Sequence, residues 1–322
     1  TIAPFPLISV SGFPAEDNNG YPDVCNADCL ATGMTVEPGG PWGLAGGYIE
    51  GQAANDNFAN AVAINGDGNI VAISAFNKDQ SGTIQDIGKV YIYSWNNNQW
   101  INRGQFINGI QSNEKFGYSI ALSSNGNRIV IGAPYHNNRG RVTVMDWRPN
   151  DGAYVTIWAR EGSNGSESGS AVAINHGGNR IAIGEPGVGN GSVIVMDLSD
   201  FNDIRQVGTT INGDTNSGGK NGFSLALKNS GNTIAVGDPR FDGTNTPDNG
   251  HVRVFDLQPQ GDIQVWVQRG DDIEGSAAGD LSGSSLDLSA DGNIIAVGSP
   301  ENDLAGTNSG QIRVFEWSGN NW

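Results

Sequence analysis

Positive charge is scarce in this chain of 322 residues. Lys and Arg number 17 against 34 Asp and Glu, for a net charge of −17. A surface that acidic repels phosphate backbones, which excludes nucleic acid as a partner. Long hydrophobic runs are missing too. None approaches the ~20 apolar residues that cross a bilayer as a helix, so membrane insertion is not expected. Charged residues make up only 16% and hydrophobic residues 37%, too apolar for charge-driven disorder and too poor in Lys, Glu and Leu for a helical bundle. There are three histidines, His136, His176 and His251, far apart in the chain. No Ser/His/Asp grouping, phosphate loop or His-rich metal motif accompanies them, and the expectation is that the chain is not an enzyme. The two cysteines, Cys25 and Cys29, are spaced C-x3-C. They read as a small local disulfide or as a pair of free thiols; a zinc site would need two further ligands. The chain opens at Thr1 and not at Met, which reads as a processed or partial chain with no leader left to interpret.

What is abundant is glycine, 48 residues, and it recurs in register. The segment Ser119 to Pro134 returns as Ala171 to Pro186, as Ser224 to Pro239 and as a copy beginning near Ser284 and ending at Pro300, with a weaker one at Ala61 to Phe76. Each copy centres on an Asn that follows a glycine turn: Asn69, Asn127, Asn179, Asn232 and Asn293, spaced 58, 52, 53 and 61 apart. A small residue follows five positions later, at Ser74, Gly132, Gly184, Gly237 and Gly298, and proline sits two further on in four of the five. A second block with Val-x-Val alternation opens at Gly88, Gly140, Gly191, Gly250 and Gly310. A third strand lies near Trp100–Gly104, Tyr154–Trp158, Ile204–Gly208 and Val265–Gly270. Alternation with β-branched residues is a half-buried strand pattern, and Asn-Gly, Asp-Gly or Gly-Gly pairs suit hairpin turns. Four short strands repeated every 52 to 61 residues predict an all-β fold, a β-propeller of four-stranded antiparallel blades with about five recognisable repeats.

The expected organisation is an irregular N-terminal arm over 1–41, carrying Cys25 and Cys29, followed by a propeller over 42–322. Blade cores are expected near 58–104, 116–158, 168–208, 221–270 and 282–322. Residues Trp42 to Asn69 match Trp266 to Asn293 at a constant offset of 224, so a strand near 42–49 is expected to close the ring as the outer strand of the last blade. Two alternatives stay open: further blades beyond Trp322, or donation of that strand to a neighbouring chain to build a homo-polymer.

Phe116-Gly117 followed by Gly132-Ala133-Pro134 resembles the FG-GAP repeat, the blade of integrin α-subunit heads and of many secreted or cell-surface proteins. The Phe-Gly pair is intact only there; the other copies read Phe58-Ala59, Ser168-Gly169, Asn221-Gly222 and Ser282-Gly283. The first hairpin departs from the calcium-binding blades of that family. Asn65 to Asn69, Ser124 to Asn127 and Ser289 to Asn293 carry too few carboxylates to supply six to eight oxygens, and resemble WD-type Asp-Gly hairpins. The resemblance implies a secreted or cell-surface, extracellular module with a structural or adhesive role, its partners other protein chains. The alternative is a carbohydrate- or protein-binding propeller using its loop face, with extracellular glycans as ligands; a polysaccharide lyase or hydrolase ranks below both.

Several residues are candidate sites. Asp17, Asn19, the Tyr21 carbonyl and Asp23 have the alternate spacing of a calcium loop around Gly20, and calcium is the one cofactor expected; an Asx-rich turn explains the same residues and is preferred. Asn164 and Asn190 head glycosylation acceptor sequences. The acidic loops at Glu50 and Asp56, at Asp271, Asp272 and Glu274, and at Asp280 read as caps on turn amides in preference to cation sites. The recurrent tryptophans read as packing between blades in preference to sugar stacking.

Overall fold

The computed structural model describes residues 44–79, 85–214, 218–244 and 246–322. The chain divides into two units, Thr1–Ala45 and Gly46–Trp322. Only Leu44 and Ala45 of the first are described, and the strands of the described residues lie in the second.

The second unit is a β-propeller built of five antiparallel sheets, as the repeat predicts. Blade 1 comprises β1 (Phe58–Ile64), β2 (Ile70–Ala75), β3 (Lys89–Asn96), β4 (Gln99–Asn102) and the short β5 (Ile107–Asn108). Blade 2 comprises β6 (Ser119–Leu122), β7 (Arg128–Ala133), β8 (Arg141–Arg148) and β9 (Ala153–Glu161). Blade 3 comprises β10 (Val172–Ile174), β11 (Arg180–Glu185), β12 (Ser192–Asp197), β13 (Arg205–Gln206) and β14 (Ile211–Asn212). Blade 4 comprises β15 (Ser224–Leu227), β16 (Thr233–Asp238), β17 (His251–Gln260), β18 (Ile263–Gln268) and β19 (Ile273–Glu274). Blade 5 comprises β20 (Ser285–Leu288), β21 (Ile294–Ser299) and β22 (Gln311–Glu316). The only helical turn among the described residues is a 3-10 segment at His136–Asn138.

The first hairpin of blades 1, 2, 3 and 5 is set by polar side chains turned onto their own backbone. Asn65 Oδ1 accepts from the amides of Asn69 and Ile70 at 2.9 and 2.8 Å, and Asn175 does the same for Arg180 at 2.9 Å. Ser123 and Ser289 serve with hydroxyls at 3.0 and 2.9 Å to Arg128 and Ile294. Such bonds let an Asx or Ser residue nucleate a turn. They also occupy the oxygens that a calcium loop would need free.

Middle strands of blades 2, 3 and 4 are buried on both faces, because each of those sheets is sandwiched between two others. Ile129, Val130 and Ile131 of β7 are wholly buried, as are Ile181, Ala182 and Ile183 of β11. At roughly 1.5–3 kcal/mol for each fully buried Val or Ile, these seams dominate the stability. The side chains segregate by blade face. Ile120 and Leu122 pack back on Ile70, Val90 and Ile92 of blade 1. Val130, Val142 and Val144 pack forward on Val172, Ile181 and Ile183 of blade 3. Val193 and Val195 meet Ile234 and Val236, and Val252 and Val254 meet Ile295 and Val297.

Paired aromatics lie at the outer hairpins, Trp95 on Trp100, Trp147 on Tyr154 and Trp317 on Trp322, with ring centroids 5.1–5.3 Å apart. Arg103 covers the Trp147 ring at 4.7 Å and Arg269 the Trp317 ring at 4.5 Å, each reaching from the connection that precedes that blade. The Tyr154 hydroxyl donates to the Gly126 carbonyl at 2.6 Å, and burial pushes its pKa up to about 12.

Closure differs from the expectation. Blade 5 has three strands, and residues 44–49 belong to no strand; residues 42 and 43 lie outside the described residues. Gly46 and Gly47 have φ of +81° and +102°, which a strand does not accommodate. A Cβ on Gly46 would meet the Trp95 ring at 2.3 Å, so this segment lies against the first blade and not beside β22.

Candidate functional site

Three features of the propeller go beyond generic packing: a glycine seam between blades, a ring of capping carboxylates, and a buried histidine at the rim of blade 4.

The seam explains the Phe-Gly and Gly-x-Pro signatures physically. Gly117, Gly169, Gly222 and Gly283 all have φ near +88°, a region that favours glycine. Each donates its N–H to the carbonyl of the second glycine of its own blade: Gly132, Gly184, Gly237 and Gly298, at 2.9–3.1 Å. That second glycine then lies directly against the next blade. A Cβ on Gly132 would sit 2.0 Å from the Gly169 carbonyl oxygen, one on Gly184 2.0 Å from Gly222 O, and one on Gly237 2.3 Å from Gly283 O. Ser119 and Ser224 hydroxyls donate across the same seam to Gly169 O and Gly283 O at 2.7 and 2.6 Å. Gly298 is the exception. Among the described residues, the atoms nearest its Cβ would all belong to Ser285 in its own blade.

That exception belongs to an open face. Ile312 and Val314 of β22 are 75% and 64% exposed, whereas their counterparts Val252 and Val254 are 0% and 1% exposed. At the other end Val62 and Ile64 of β1 are exposed, while their counterparts Ile120 and Leu122 are buried. The outer edge of β22 has no paired strand among the described residues.

The capping carboxylates recur at one repeat position. Asp280 Oδ2 accepts from the amides of Ser276 and Ala277 at 2.9 Å each and from Asn302 Nδ2 at 3.0 Å. Glu114 accepts from the amides of Ile110 and Gln111, and its other oxygen meets His136 Nδ1. Asp56 pairs with Lys78 Nζ at 2.8 Å. Each ties a blade-linking loop to the residue three positions beyond the end of β2, β7 or β21. These acidic side chains are consumed by the fold. Sequence reasoning reads Asp56 and Asp280 as turn caps but misses Glu114 and the partners Lys78, His136 and Asn302. Their shared repeat position, two after Phe76, Pro134 and Pro300, was the available signal.

His251 opens β17 and is wholly buried. Its Nδ1 lies 2.9 Å from Asp272 Oδ2, and Gln268 Nε2 donates to Asp272 Oδ1 at 2.7 Å. Burial pushes the Asp272 carboxyl up, but hydrogen bonds and charge from His251, Gln268 and Arg253 outweigh it and hold the group below the usual carboxylate range. Phe241 stacks on the imidazole, centroids 3.8 Å apart and planes within 10°. Arg253 Nη1 holds Asp214 Oδ1 at 3.0 Å, and Asp214 Oδ2 stands 4.0 Å from His251 Nε2. Asp238, the register partner of His251, is buried, and desolvation pushes its carboxyl up. His136, His176 and His251 are not brought together: His136 belongs to blade 2 with Glu114 and Glu161, His176 lies in the first hairpin of blade 3, and His251 lies in blade 4.

Asp17, Asn19, Asp23, Cys25 and Cys29 lie outside the described residues. Asn164 is exposed, and its side-chain oxygen accepts from Asn138 at 3.3 Å. The Asn190 side-chain nitrogen donates to the Asp214 carbonyl.

A family model for the FG-GAP repeat matches residues 50–93, which span β1 to β3. No curated protein matches the chain. Among solved structures, the chain is similar to a putative 6-phosphogluconolactonase from Bacteroides uniformis, at 10% identity over 80% of each chain with a TM-score of 0.46. It is similar to the periplasmic gluconolactonase PpgL of Pseudomonas aeruginosa, at 13% identity over 80% of this chain and 81% of that one, with a TM-score of 0.42. A putative TolB from Agrobacterium tumefaciens has 10% identity over 81% of this chain and 78% of that one, with a TM-score of 0.47. The two lactonase names correct the expectation, drawn from a missing catalytic set, that the chain is not an enzyme; that expectation is withdrawn. Likenesses this distant assign this chain no reaction. Residues 50–93 carry an FG-GAP repeat, and the chain is an FG-GAP-like β-propeller.

Proposed function

We propose that this chain is a structural module, secreted or at the cell surface, that joins copies of itself end to end through its terminal blades. The observation that carries the reading is the open face of blade 5, where Ile312 and Val314 stand exposed at positions buried in every other blade. Its residue types match those of the internal seams. Ile312, Val314 and Gly298 repeat the pattern of Val252, Val254 and Gly237, which receives the next blade inside the molecule. Val62 and Ile64 of blade 1 repeat the pattern of Ile120 and Leu122, which packs into the preceding blade. Face and counter-face are therefore complementary, and a second copy brings the one to the other. Such a contact is heterologous, so it builds a ring or a filament. The outer edge of β22, unpaired among the described residues, adds strand pairing to the same joint. The acidic surface and the Asn-, Gly- and Ser-rich turns suit an extracellular setting.

Sedimentation over a wide concentration range tests this. The expected result is a mass that rises with concentration, with regular rings or filaments by electron microscopy. Ile312→Lys places a charge on the face and is expected to leave a monomer with an unchanged unfolding midpoint. A wild-type chain that stays monomeric throughout overturns the reading, as does assembly indifferent to the substitution.

A further inference from the structure

The rim of blade 4 holds a histidine that is wholly buried and has a ring nitrogen, Nε2, with no hydrogen-bond partner. We propose that His251 Nε2 and Asp214 Oδ2 hold a divalent transition-metal ion of the zinc type, with Asp272 as the outer carboxylate that orients the ring.

The argument starts from the tautomer. Asp272 Oδ2 lies 2.9 Å from Nδ1, and a carboxylate there accepts the Nδ1 proton. The lone pair of a neutral ring is then on Nε2, aimed at the Asp214 carboxylate. A lone pair facing a carboxylate is repulsive unless something positive stands between them. A proton on Nε2 would draw Asp214 to hydrogen-bond distance, about 2.7–2.9 Å for a charged pair. The observed separation is 4.0 Å. Zinc sits about 2.0–2.1 Å from imidazole nitrogen and about 2.0–2.2 Å from carboxylate oxygen, so an ion fits in that gap. A tetrahedral angle needs the two atoms about half an ångström closer. Asp214 can supply that movement, since it stands on the loop between β14 and β15 and its side chain is 43% exposed.

The surrounding charge favours a cation. Asp238 faces His251 from β16, with its Oδ2 buried and unpartnered, and Glu274 faces it from β19. The opposing charge is Arg253, whose Nη1 is taken by Asp214 Oδ1 and whose Nη2 is taken by the Asn212 carbonyl and Asn221 Oδ1. Arg253 thereby fixes which Asp214 oxygen faces the imidazole. Phe241 covers one face of the ring and limits water, which strengthens any ionic contact beneath it. An outer carboxylate on the second nitrogen is the usual partner of a metal-bound histidine. None of these residues lies in a first-hairpin loop of the kind that binds calcium in FG-GAP blades.

The test is calorimetric titration of chelator-treated, full-length protein with Zn²⁺, alongside Co²⁺ absorption as a report on the ligand set. Wild type is expected to take up one equivalent. His251→Gln is expected to weaken binding by about 100-fold or more, and Asp272→Asn by about 10–100-fold. Asp214→Asn, at a half-exposed loop position, guards against a folding defect; it is expected to keep the metal-free unfolding midpoint and to bind weakly. His176→Gln, in an exposed hairpin, is expected to bind as wild type does. Absence of uptake by wild type overturns the proposal. Equal uptake by wild type and His251→Gln overturns it as well, by placing the ion elsewhere.

Discussion

Gly184→Ala is expected to cost about 3 kcal/mol or more, at the upper end of what overpacking inflicts, because the added methyl meets backbone that cannot turn aside. Its Cβ would lie 2.0 Å from Gly222 O and 3.0 Å from Gly222 C. The blades must separate by more than an ångström or the strand must shift, and either loses the seam formed by Val193, Val195, Ile234 and Val236. Gly132→Ala and Gly237→Ala are expected to behave alike, with clashes at 2.0 and 2.3 Å against the next blade's carbonyl oxygen. Gly298→Ala is the discriminating control. It shares a neighbouring serine with Gly132 and Gly237, but Ser285 can rotate away and no further blade stands behind it among the described residues. Its cost is expected within about 0.5 kcal/mol, as for a surface site. Urea unfolding at low protein concentration checks the set; equal losses at Gly184 and Gly298 would show a closed seam at blade 5.

Glu114→Ala is expected to cost about 3 kcal/mol or more, the upper end of what leaving polar groups without their partner inflicts. The side chain is wholly buried and serves the amides of Ile110 and Gln111 and the ring of His136 together. Its loss strands the amides of Ile110 and Gln111 and a buried imidazole in one step. Glu114→Gln retains an acceptor oxygen for the amides and is expected to recover part of the loss. Asp56→Ala, at the same repeat position, breaks a pair with a lysine that reaches solvent, and is expected to cost less. Thermal unfolding of the three variants orders them.

These expectations rest on a fold that was largely legible. Glycine turns mark hairpins, and the Gly-x-Pro that ends β7, β11, β16 and β21 marks where a middle strand stops donating to its ladder. In blade 5 the structure settles the register: Ser285, not Ser284, pairs with Gly298 as Ser119 pairs with Gly132. Strands β5, β14 and β19 escaped notice because two residues, such as Ile107-Asn108, carry no periodicity. In blade 2 the same place is filled by a continuous β9, which spans it with a bulge at Ile157, opposite Val144 and Met145 of β8. Closure near 42–49 was read from a correct match, since Gly46 does correspond to Gly270. Both glycines lie against a tryptophan of the following blade, Trp95 and Trp317. The match located the connection between blades and said nothing of what pairs with β22.

The sites were less legible than the fold. Repetition shows in sequence because it recurs, whereas the His251 cluster occurs once. Its members come from β17, from the loops around 214 and 272, and from β16, and nothing in their spacing announces that they converge. His251 was visible as a strand-opening residue and Asp272 as part of an acidic loop. Only the stagger of β17 against β16 and β19 joins them. The phenylalanine of the Phe-Gly signature occurs only at Phe116 and Phe58, yet the glycine's φ near +88° persists wherever the glycine does. Ala59, in the Phe58-Ala59 copy, holds φ +66° without being glycine. Conformation, more than residue identity, is what the repeat keeps.

Hydrogen–deuterium exchange across β22 as a function of protein concentration tests most directly whether blade 5 presents a face that a second copy covers. The predicted result is fast exchange over Gln311–Glu316 in dilute protein, slowing toward that of β17 as concentration rises, while β17 stays unchanged. Exchange over Gln311–Glu316 that does not change with concentration, whether as slow as β17 or fast throughout, would contradict it.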